Sequence, residues 1–557
     1  MFTPKLVTLL REGYDLASLR ADAVAGLTVA IVALPLSMAI AIASGATPAQ
    51  GLYTAIVGGF LVSALGGSRF QIGGPVGAFI VLVSATVQEH GMDGLILATL
   101  LSGILLMVIG FCRLGTYIKF IPYPVTVGFT AGIAVIIFAS QIRALLGLRL
   151  DGAEPGPLVD KLPALAGALS TVQPVTVALA VGSLATLIIL KRTRPQWPAM
   201  LIAVAGAAGV TALLDLPVAT IGSQFGGIPS SLPLPSLPGL SFEKIWAVLP
   251  NAVAFTLLGA IESLLSAVVA DGMSGRRHRS NCELVGQGVA NLGSALFGGI
   301  CVTGTIARTA TNVRAGARGP VSGMLHAVFL LIFMIVAAPL ASYIPLAALA
   351  AVLTLVAWNM VEKEAIATLL RTSRGDAAIL LSTFLLTLFR DLTEAIVVGF
   401  ALGSVLFIHR MSETTAVEAD FTQGVADQAD GPSDSRQPYD GTLASNPAVV
   451  VYRITGAFFF GAAAAIGSVL DRIADSHEVL IIDFENVPFL DSTAAHTITS
   501  LAQKARRRGV AVILTGTSRD LHHDLTTQGV TAPLVRFEYD IETALKTVSK
   551  ARDQNQP

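Results

Sequence analysis

Long apolar runs fill the first 410 residues of this chain, and they restrict its possible folds more than any other feature. A helix needs about 20 apolar residues to cross the hydrocarbon layer of a membrane. By this pattern the sequence predicts fourteen spans, at 24–43, 51–65, 73–87, 95–111, 125–146, 175–190, 199–214, 247–270, 284–297, 303–314, 321–340, 344–358, 377–389 and 395–408. We therefore expect a polytopic α-helical membrane domain.

Charged residues are distributed unevenly and indicate two environments. Residues 1–410 contain 18 acidic and 24 basic residues, a net charge of +6 (24 minus 18). Residues 411–557 contain 19 acidic and 12 basic residues, a net charge of −7 (12 minus 19). An apolar part followed by a charged part excludes an ordinary soluble enzyme. Neither part has the basic surface expected of a nucleic-acid partner.

Changes in composition divide the chain into four regions. We predict a cytoplasmic segment at 1–22, a transmembrane transporter domain at 23–411, a flexible polar linker at 412–446 and a small cytoplasmic α/β domain at 447–552. In the last region, strands are predicted at 448–454, 479–484 and 510–514, and helices at 462–476 and 492–508. Basic residues recur in every second loop between spans, which places both termini in the cytoplasm.

Two of the predicted spans, 73–87 and 303–314, are short and interrupted by glycine. Each is the third in a set of seven spans, which is the pattern of an inverted repeat. In such repeats, paired broken helices point their amino-terminal dipoles at a bound anion. The alternative is that the glycines only allow close helix packing.

Glu262 is the most unusual residue of the membrane part because it lies in an otherwise uncharged span. An intramembrane carboxylate costs several kcal/mol unless it is paired or protonated, so it indicates a functional site. Ser266 lies one turn further on the same face. We expect Glu262 to carry a proton; the alternative is a structural carboxylate bonded to a residue such as Asn251 or Asn291.

Arg308 follows the second break, where its guanidinium is suited to pairing with an anion. Two other roles stay open for it, as a partner of Glu262 or as an anchor at the cytoplasmic end of the span. In the α/β region, Asp491 or Ser492 is expected to cap the helix that begins there. The sequence contains no phosphate-binding glycine loop, metal cluster or nucleophile triad, so we predict no enzyme and no cofactor.

Several stretches resemble the SulP anion permeases, which carry a C-terminal STAS domain. The general stretches are 25–30, 33–39, 51–53, 67–69, 74–75 and 303–312. Four others, at 259–265, 271–273, 281–288 and 312–317, look most like the bacterial branch that moves C4-dicarboxylates such as succinate with protons. The resemblance implies fourteen spans as a 7+7 inverted repeat, core and gate domains with an elevator-like motion, and a homodimer in the bacterial inner membrane.

The resemblance also implies an anion site between the third and tenth spans. Its residues would be Val76, Gly77, Ala78 and Phe79 with Ala307, Arg308 and Thr309, lined by Leu36 and Ile40 of the first span, with Glu262 and Ser266 of the eighth as the ion-coupling pair. Many members have glutamine in place of Leu36, and several have a hydroxyl in place of Val76. The anion would then depend more on backbone N–H groups and Arg308, which leaves its identity open.

In the last domain, Asp483 and 490–493 resemble the pattern of STAS domains and anti-sigma-factor antagonists, where a hydroxyl can be phosphorylated. Ala494 replaces the customary glycine, so Asp491, Ser492 and Thr493 are assigned a regulatory or interaction role instead.

We therefore expect proton-coupled uptake of C4-dicarboxylates. The alternatives are sulfate or bicarbonate transport coupled to protons or sodium, a membrane anion sensor, and a channel. The expected partners are a small inorganic or organic anion, membrane lipid, a second copy of the chain and a cytoplasmic partner of the STAS domain.

Overall fold

The computed structural model describes residues 2–116, 122–150, 152, 154–194, 197–390, 392–413, 416–419, 449–460 and 478–553. The chain divides into two compact units, Met1–Ala401 and Leu402–Pro557. The first unit is helical and highly apolar, and the second contains a five-stranded sheet.

The described residues up to 413 form helices joined by short connections, and the last helix crosses the boundary between the two units. In chain order they are α1 (Lys5–Glu12), α2 (Leu16–Ala43), α3 (Pro48–Tyr53), α4 (Gly59–Leu65), α5 (Ile80–Phe111), α6 (Tyr123–Leu146), α7 (Leu158–Gly167), α8 (Pro174–Thr193), α9 (Ala199–Leu213), α10 (Ile221–Phe225), α11 (Phe242–Ser274), α12 (Ser280–Leu296), α13 (Ile306–Arg314), α14 (Val321–Ala341), α15 (Leu346–Met360), α16 (Lys363–Thr372), α17 (Arg374–Phe389) and α18 (Leu392–Glu413). Two short strands interrupt them, β1 (Gly73–Gly74) before α5 and β2 (Thr303–Gly304) before α13.

Each predicted span coincides with a helix or a broken helix of this series. Among the described residues, nine helices are long and apolar enough to cross a membrane. The remaining predicted spans are shorter helices, as with α12 and α13. The third and fourth predicted spans both lie in α5, which consists of two helices joined at a kink at Gly91 (φ 68°). This positive φ disfavours side chains with a Cβ atom, so glycine suits the position.

The membrane helices pack in two groups. The first group contains α2, α4, α5, α11, α12, α13 and α14, and the second contains α6, α8, α9, α15 and α17. Both interrupted segments lie in the first group, while contacts of α2 with α9 and α15 connect the two groups. The predicted amino-terminal segment contains α1, which is attached to the first group by an ion pair of 2.5 Å between Glu12 and Arg69. The hydrogen bond from Arg69 lowers the pKa of Glu12.

The second unit is an α/β domain with sheet order β3-β4-β5-β6-β7. Its elements are β3 (Ala416–Ala419), β4 (Val449–Thr455), β5 (Val479–Asn486), α19 (Ser492–Arg507), β6 (Ala511–Thr515), α20 (Arg519–Thr527), β7 (Arg536–Phe537) and α21 (Ile541–Asp553). β3 is antiparallel to β4, and the other pairs are parallel. Parallel strands need crossover connections, which is why helices alternate with strands here.

The predicted linker and one predicted helix of this region differ from the other predictions in outcome. The linker prediction is wrong for 416–419, because these residues form β3, which pairs with β4. The strand is only four residues long and lies within a mostly polar stretch of sequence, so its composition did not reveal it. The helix predicted at 462–476 and most of the predicted linker lie outside the described residues. The three predicted strands and the helix at 492–508 correspond to β4, β5, β6 and α19.

Candidate functional site

The two interrupted segments meet inside the first helix group. β1 and β2 form an antiparallel pair in which Gly73 lies opposite Gly304 and Gly74 lies opposite Thr303. All four residues are buried. Gly304 leaves room for a neighbouring side chain, because a Cβ atom at this position would overlap the side-chain amide of Gln71.

Both strands lead directly into helix amino termini. After β1, a single 3-10 turn at Gly77–Phe79 precedes α5, and after β2 the helix α13 begins at Ile306. The first N–H groups of a helix have no partner within the helix, and they carry partial positive charge. Two such termini beside one strand pair form a site suited to an anion.

Arg308 is buried beside this pair, with 2% of its surface exposed. Its Nη2 lies 3.4 Å from the carbonyl oxygen of Pro75, and its Nη1 lies against Gly74. Within the described part of the chain, Nε and Nη1 have no hydrogen-bond partner, and no ion pair joins Arg308 to Glu262. The proposed pairing with Glu262 is therefore not observed, and the burial of Arg308 does not favour a role as an anchor at the membrane surface. A buried guanidinium without a carboxylate is unfavourable until an anion pairs with it.

Glu262 and Ser266 lie on α11, which packs against β2 and α13. The Ser266 hydroxyl is 3.1 Å from Thr309 Oγ1, which accepts a hydrogen bond from the backbone N–H of Ile72. These bonds connect Ser266 to both interrupted segments. Glu262 is 8% exposed and has no hydrogen bond or ion pair to any described residue.

The suggested structural partners of Glu262 bind elsewhere. Asn251 donates to the Thr86 hydroxyl, and Asn291 donates to the carbonyl oxygens of Gln287 and Val302. The structural alternative for Glu262 therefore has no support from either asparagine. A buried carboxylate without protein donors is suited to binding a proton or a metal cation.

The remaining predicted residues give the site apolar walls. Leu36, Ile40, Ala78 and Phe79 belong to one buried apolar cluster. The ring of Phe79 contacts that of Phe255 on α11, with 5.9 Å between the centroids. Gly77 and Val76 lie in the same turn, with Gly77 buried and Val76 partly exposed. Ala307 is exposed, so of the three residues predicted from α13 only Arg308 and Thr309 are buried.

Sequence reasoning missed a set of buried polar residues around the strand pair. They are Gln71, Ser263, Glu283, Gln287 and Asn291. The last three recur every fourth residue along α12, a spacing that places them on one helix face. That spacing was the available signal, although it did not reveal which groups the side chains contact.

In the second unit, Asp491 caps α19. Its Oδ1 accepts the N–H of Ala494 at 2.9 Å, and its Oδ2 accepts the N–H of Phe460 at 3.0 Å. Ser492 and Thr493 are exposed, and Ser492 accepts a hydrogen bond from Gln528. Asp483 is buried within β5, where it forms an ion pair of 2.9 Å with Arg453 of the neighbouring strand. Of the two predicted capping residues, Asp491 is the one observed.

Comparison with known sequences supports a transporter. Residues 19–383 match the sulfate permease family, and residues 442–544 match the STAS domain. The "Putative sulfate transporter YvdB" of Bacillus subtilis is 39% identical over 508 residues, which are 91% of this chain and 93% of that protein. The bicarbonate transporter BicA of a Picosynechococcus species is 30% identical over 509 residues, which are 90% of this chain and 89% of that protein.

Solved structures show the same architecture. The transmembrane domain of a cyanobacterial bicarbonate transporter BicA superposes with a TM-score of 0.64 at 30% identity, covering 69% of this chain and 98% of that one. The structure of SLC26A9 superposes with a TM-score of 0.86 at 17% identity, covering 100% of this chain and 94% of that one. The chain thus has a polytopic membrane domain like that of SLC26A9, followed by an α/β STAS domain.

Proposed function

Because this chain belongs to the sulfate permease family, we propose that it carries a small inorganic oxyanion, bicarbonate or sulfate, bound between its two interrupted helices. The chain is a multi-pass membrane protein and a secondary anion transporter, not an enzyme. The observation that carries the proposal is the pairing of β1 with β2, which brings two helix amino termini to one point. The unpartnered Nε and Nη1 of Arg308 supply a full positive charge beside them.

The choice of anion follows from the relatives and from the walls of the site. The relatives above are named for sulfate and bicarbonate transport. Leu36 and Val76 supply no hydrogen-bond donor, so backbone N–H groups and one guanidinium remain for recognition. A compact oxyanion can satisfy such donors at one point, whereas a C4-dicarboxylate has a second carboxylate that needs its own partners. Dicarboxylate transport, our first expectation, is therefore the second candidate.

We propose that Glu262 and Ser266 bind the coupling cation, a proton or sodium. Among the described residues Glu262 has no hydrogen-bond donor, and Ser266, one turn further along α11, binds Thr309 of the helix that begins at the anion site. The two helix groups correspond to the proposed core and gate domains, and both interrupted segments belong to the group that would move. The proposal also includes a homodimer, an inner-membrane location with both termini in the cytoplasm, and a regulatory role for Asp491, Ser492 and Thr493.

Uptake into proteoliposomes tests this function. Purified protein is assayed with radiolabelled sulfate, bicarbonate and succinate, each with a sodium gradient, with a pH gradient and with neither. We expect one inorganic anion to accumulate under one gradient, and Glu262→Gln to lose accumulation while still binding the anion. Accumulation of succinate alone would restore the dicarboxylate assignment. Anion binding without flux across a sealed bilayer would indicate a sensor. Anion conductance that is not coupled to any ion gradient would indicate a channel.

A further inference from the structure

Three polar side chains of α12, which we name the α12 ladder, lie on one face of a helix in the membrane unit. They are Glu283, Gln287 and Asn291, with 0%, 0% and 2% of their surfaces exposed. Polar groups in such a place are unfavourable unless they have partners. Their partners are backbone and side-chain groups of the segments that lead into the two strands.

Glu283 binds the segment before β1. Its Oε2 accepts the backbone N–H of Ser68 at 2.8 Å, and its Oε1 lies 3.5 Å from the hydroxyl of Ser263. That hydroxyl accepts a hydrogen bond of 2.8 Å from the side chain of Gln71. Gln71 in turn lies over Gly304 of the opposite strand. One carboxylate therefore determines where residues 68–71 lie relative to β2.

Gln287 and Asn291 bind the segment before β2. Both side chains donate to the carbonyl oxygen of Val302, the residue that directly precedes the strand. Asn291 Oδ1 also accepts the backbone N–H of Val302 at 3.1 Å. Both backbone polar groups of Val302 are therefore bound by one helix face. Ser294, on the next turn, extends the pattern by donating to the carbonyl oxygen of Ile300 at 2.7 Å.

We propose that the α12 ladder is a set of positioning residues for anion binding. The same helix face holds the residues before both strands, so it sets the register of β1 against β2. That register determines how far apart the amino termini of α5 and α13 lie, and a bound anion must reach both. The inference rests on the proposed anion site and adds the residues that keep its two halves in place.

Near-isosteric apolar substitutions test the ladder. Gln287→Met and Asn291→Leu keep most of the packing volume but remove the bonds to Val302. The full-length variants are assayed in proteoliposomes with whichever of sulfate, bicarbonate or succinate the wild type transports fastest. We expect KM to rise about fivefold or more while turnover changes less than about threefold, because weakened positioning reduces binding. Amide hydrogen exchange at 302–306 is expected to accelerate in both variants.

Thr383→Val provides a matched control. Thr383 on α17 is fully buried, and its hydroxyl donates to the carbonyl oxygen of Ile379 at 2.8 Å. The substitution removes one buried hydrogen bond in the other helix group. We expect its KM and the exchange at 302–306 to stay within about twofold of wild type. If the ladder variants lose thermal stability but keep the wild-type KM and exchange, the ladder has only a structural role and the inference is wrong.

Two variants of Glu283 distinguish a positioning role from an ion-coupling role for this residue. Glu283→Gln keeps an acceptor for Ser68 and can donate to Ser263, so it is expected to retain KM and coupling, whereas Glu283→Leu is expected to raise KM. Loss of gradient coupling in Glu283→Gln would instead make Glu283 a coupling group and overturn the assignment. If wild type transports none of the three anions, the proposed function fails; unchanged hydrogen exchange at 302–306 in the ladder variants would overturn the positioning inference separately.

Discussion

Gly304→Ala is the sharpest test of the strand pair because the added methyl group has no space. A Cβ atom at this position would lie 3.0 Å from Gln71 Cγ and closer to the amide group. Gln71 is 3% exposed and is held by its hydrogen bond to Ser263. Either Gln71 leaves its position or the two strands separate. Overpacking costs about 1–3 kcal/mol, and an orphaned buried polar group costs about as much, so we expect a loss of about 2–6 kcal/mol in folding stability where both apply.

Thermal unfolding in detergent and anion uptake measure the effect. Gly304→Ala is expected to lower the unfolding midpoint by several degrees and to weaken uptake, because the same displacement moves the start of α13. The matched control is Gly206→Ala in the middle of α9, where a Cβ atom would meet no atom within 4 Å. Alanine favours helix over glycine by about 1 kcal/mol, so this variant is expected to match or exceed the wild-type midpoint.

A second substitution shows whether Gln71 causes the effect. Gln71→Ala removes the side chain that the new methyl group would overlap, at the loss of its hydrogen bond to Ser263. The double variant is expected to be no less stable than Gln71→Ala alone, which is strong non-additivity between contacting residues. Additive losses in the double variant, or a Gly304→Ala protein that behaves like Gly206→Ala, would refute this packing of Gln71 over Gly304.

Four further measurements address the site and the domains. Glu262→Gln is expected to abolish gradient-driven accumulation while anion binding stays within about threefold, measured by uptake and by anion-induced thermal stabilisation. Arg308→Gln removes the buried positive charge and is expected to raise KM about tenfold or more, whereas an unchanged KM would remove Arg308 from the site. Asp491→Ala is expected to cost about 1 kcal/mol at the start of α19, seen as faster amide exchange at Ala494, with unchanged exchange contradicting the cap. The ion pair of Glu12 with Arg69 contributes fully to stability above the ordinary Glu12 pKa of 4.5, and this contribution is lost as the pH falls through the lowered pKa. Glu12→Gln is therefore expected to lower the unfolding midpoint at neutral pH, and its difference from wild type is expected to disappear at acidic pH. A difference that persists at acidic pH would contradict this contribution.

The helices of the membrane unit were predictable because lipid leaves the backbone few choices. A chain that cannot bond to water must satisfy its own N–H and C=O groups, so each apolar run forms a helix. The glycines at 73–74 and 304 indicated where the helices are interrupted. At an interruption the backbone N–H and C=O groups lose their helical partners and must find other partners within the protein. The break within α5 was predictable as well, because the third and fourth spans were placed on either side of Gly91.

The contacts around the site were less accessible from sequence. Glu283 and Ser68 are far apart in the chain, and nothing in either segment alone shows that they meet. Glu262 was recognised because a carboxylate in an apolar span is conspicuous. Gln287 and Asn291 were not, because amides occur in membrane helices for many reasons. A polar residue could be identified from its position, but its partner could not.

The charges at the site explain why transport of an anion would require a cation. Arg308 is a buried positive group, and Glu262 is a buried carboxylate that accepts no hydrogen bond from any described residue. If both are ionised, the empty site is neutral, and a bound anion leaves net negative charge in a medium where unpaired charge is unfavourable. One proton or sodium ion at Glu262 restores neutrality for bicarbonate, while sulfate needs a second positive charge. If the chain carries bicarbonate, we therefore expect it to couple one cation to each anion. If it carries sulfate with a single cation, we expect transport to move net charge across the membrane. Measuring uptake against membrane potential distinguishes the two, since bicarbonate uptake with one cation would not respond to the potential.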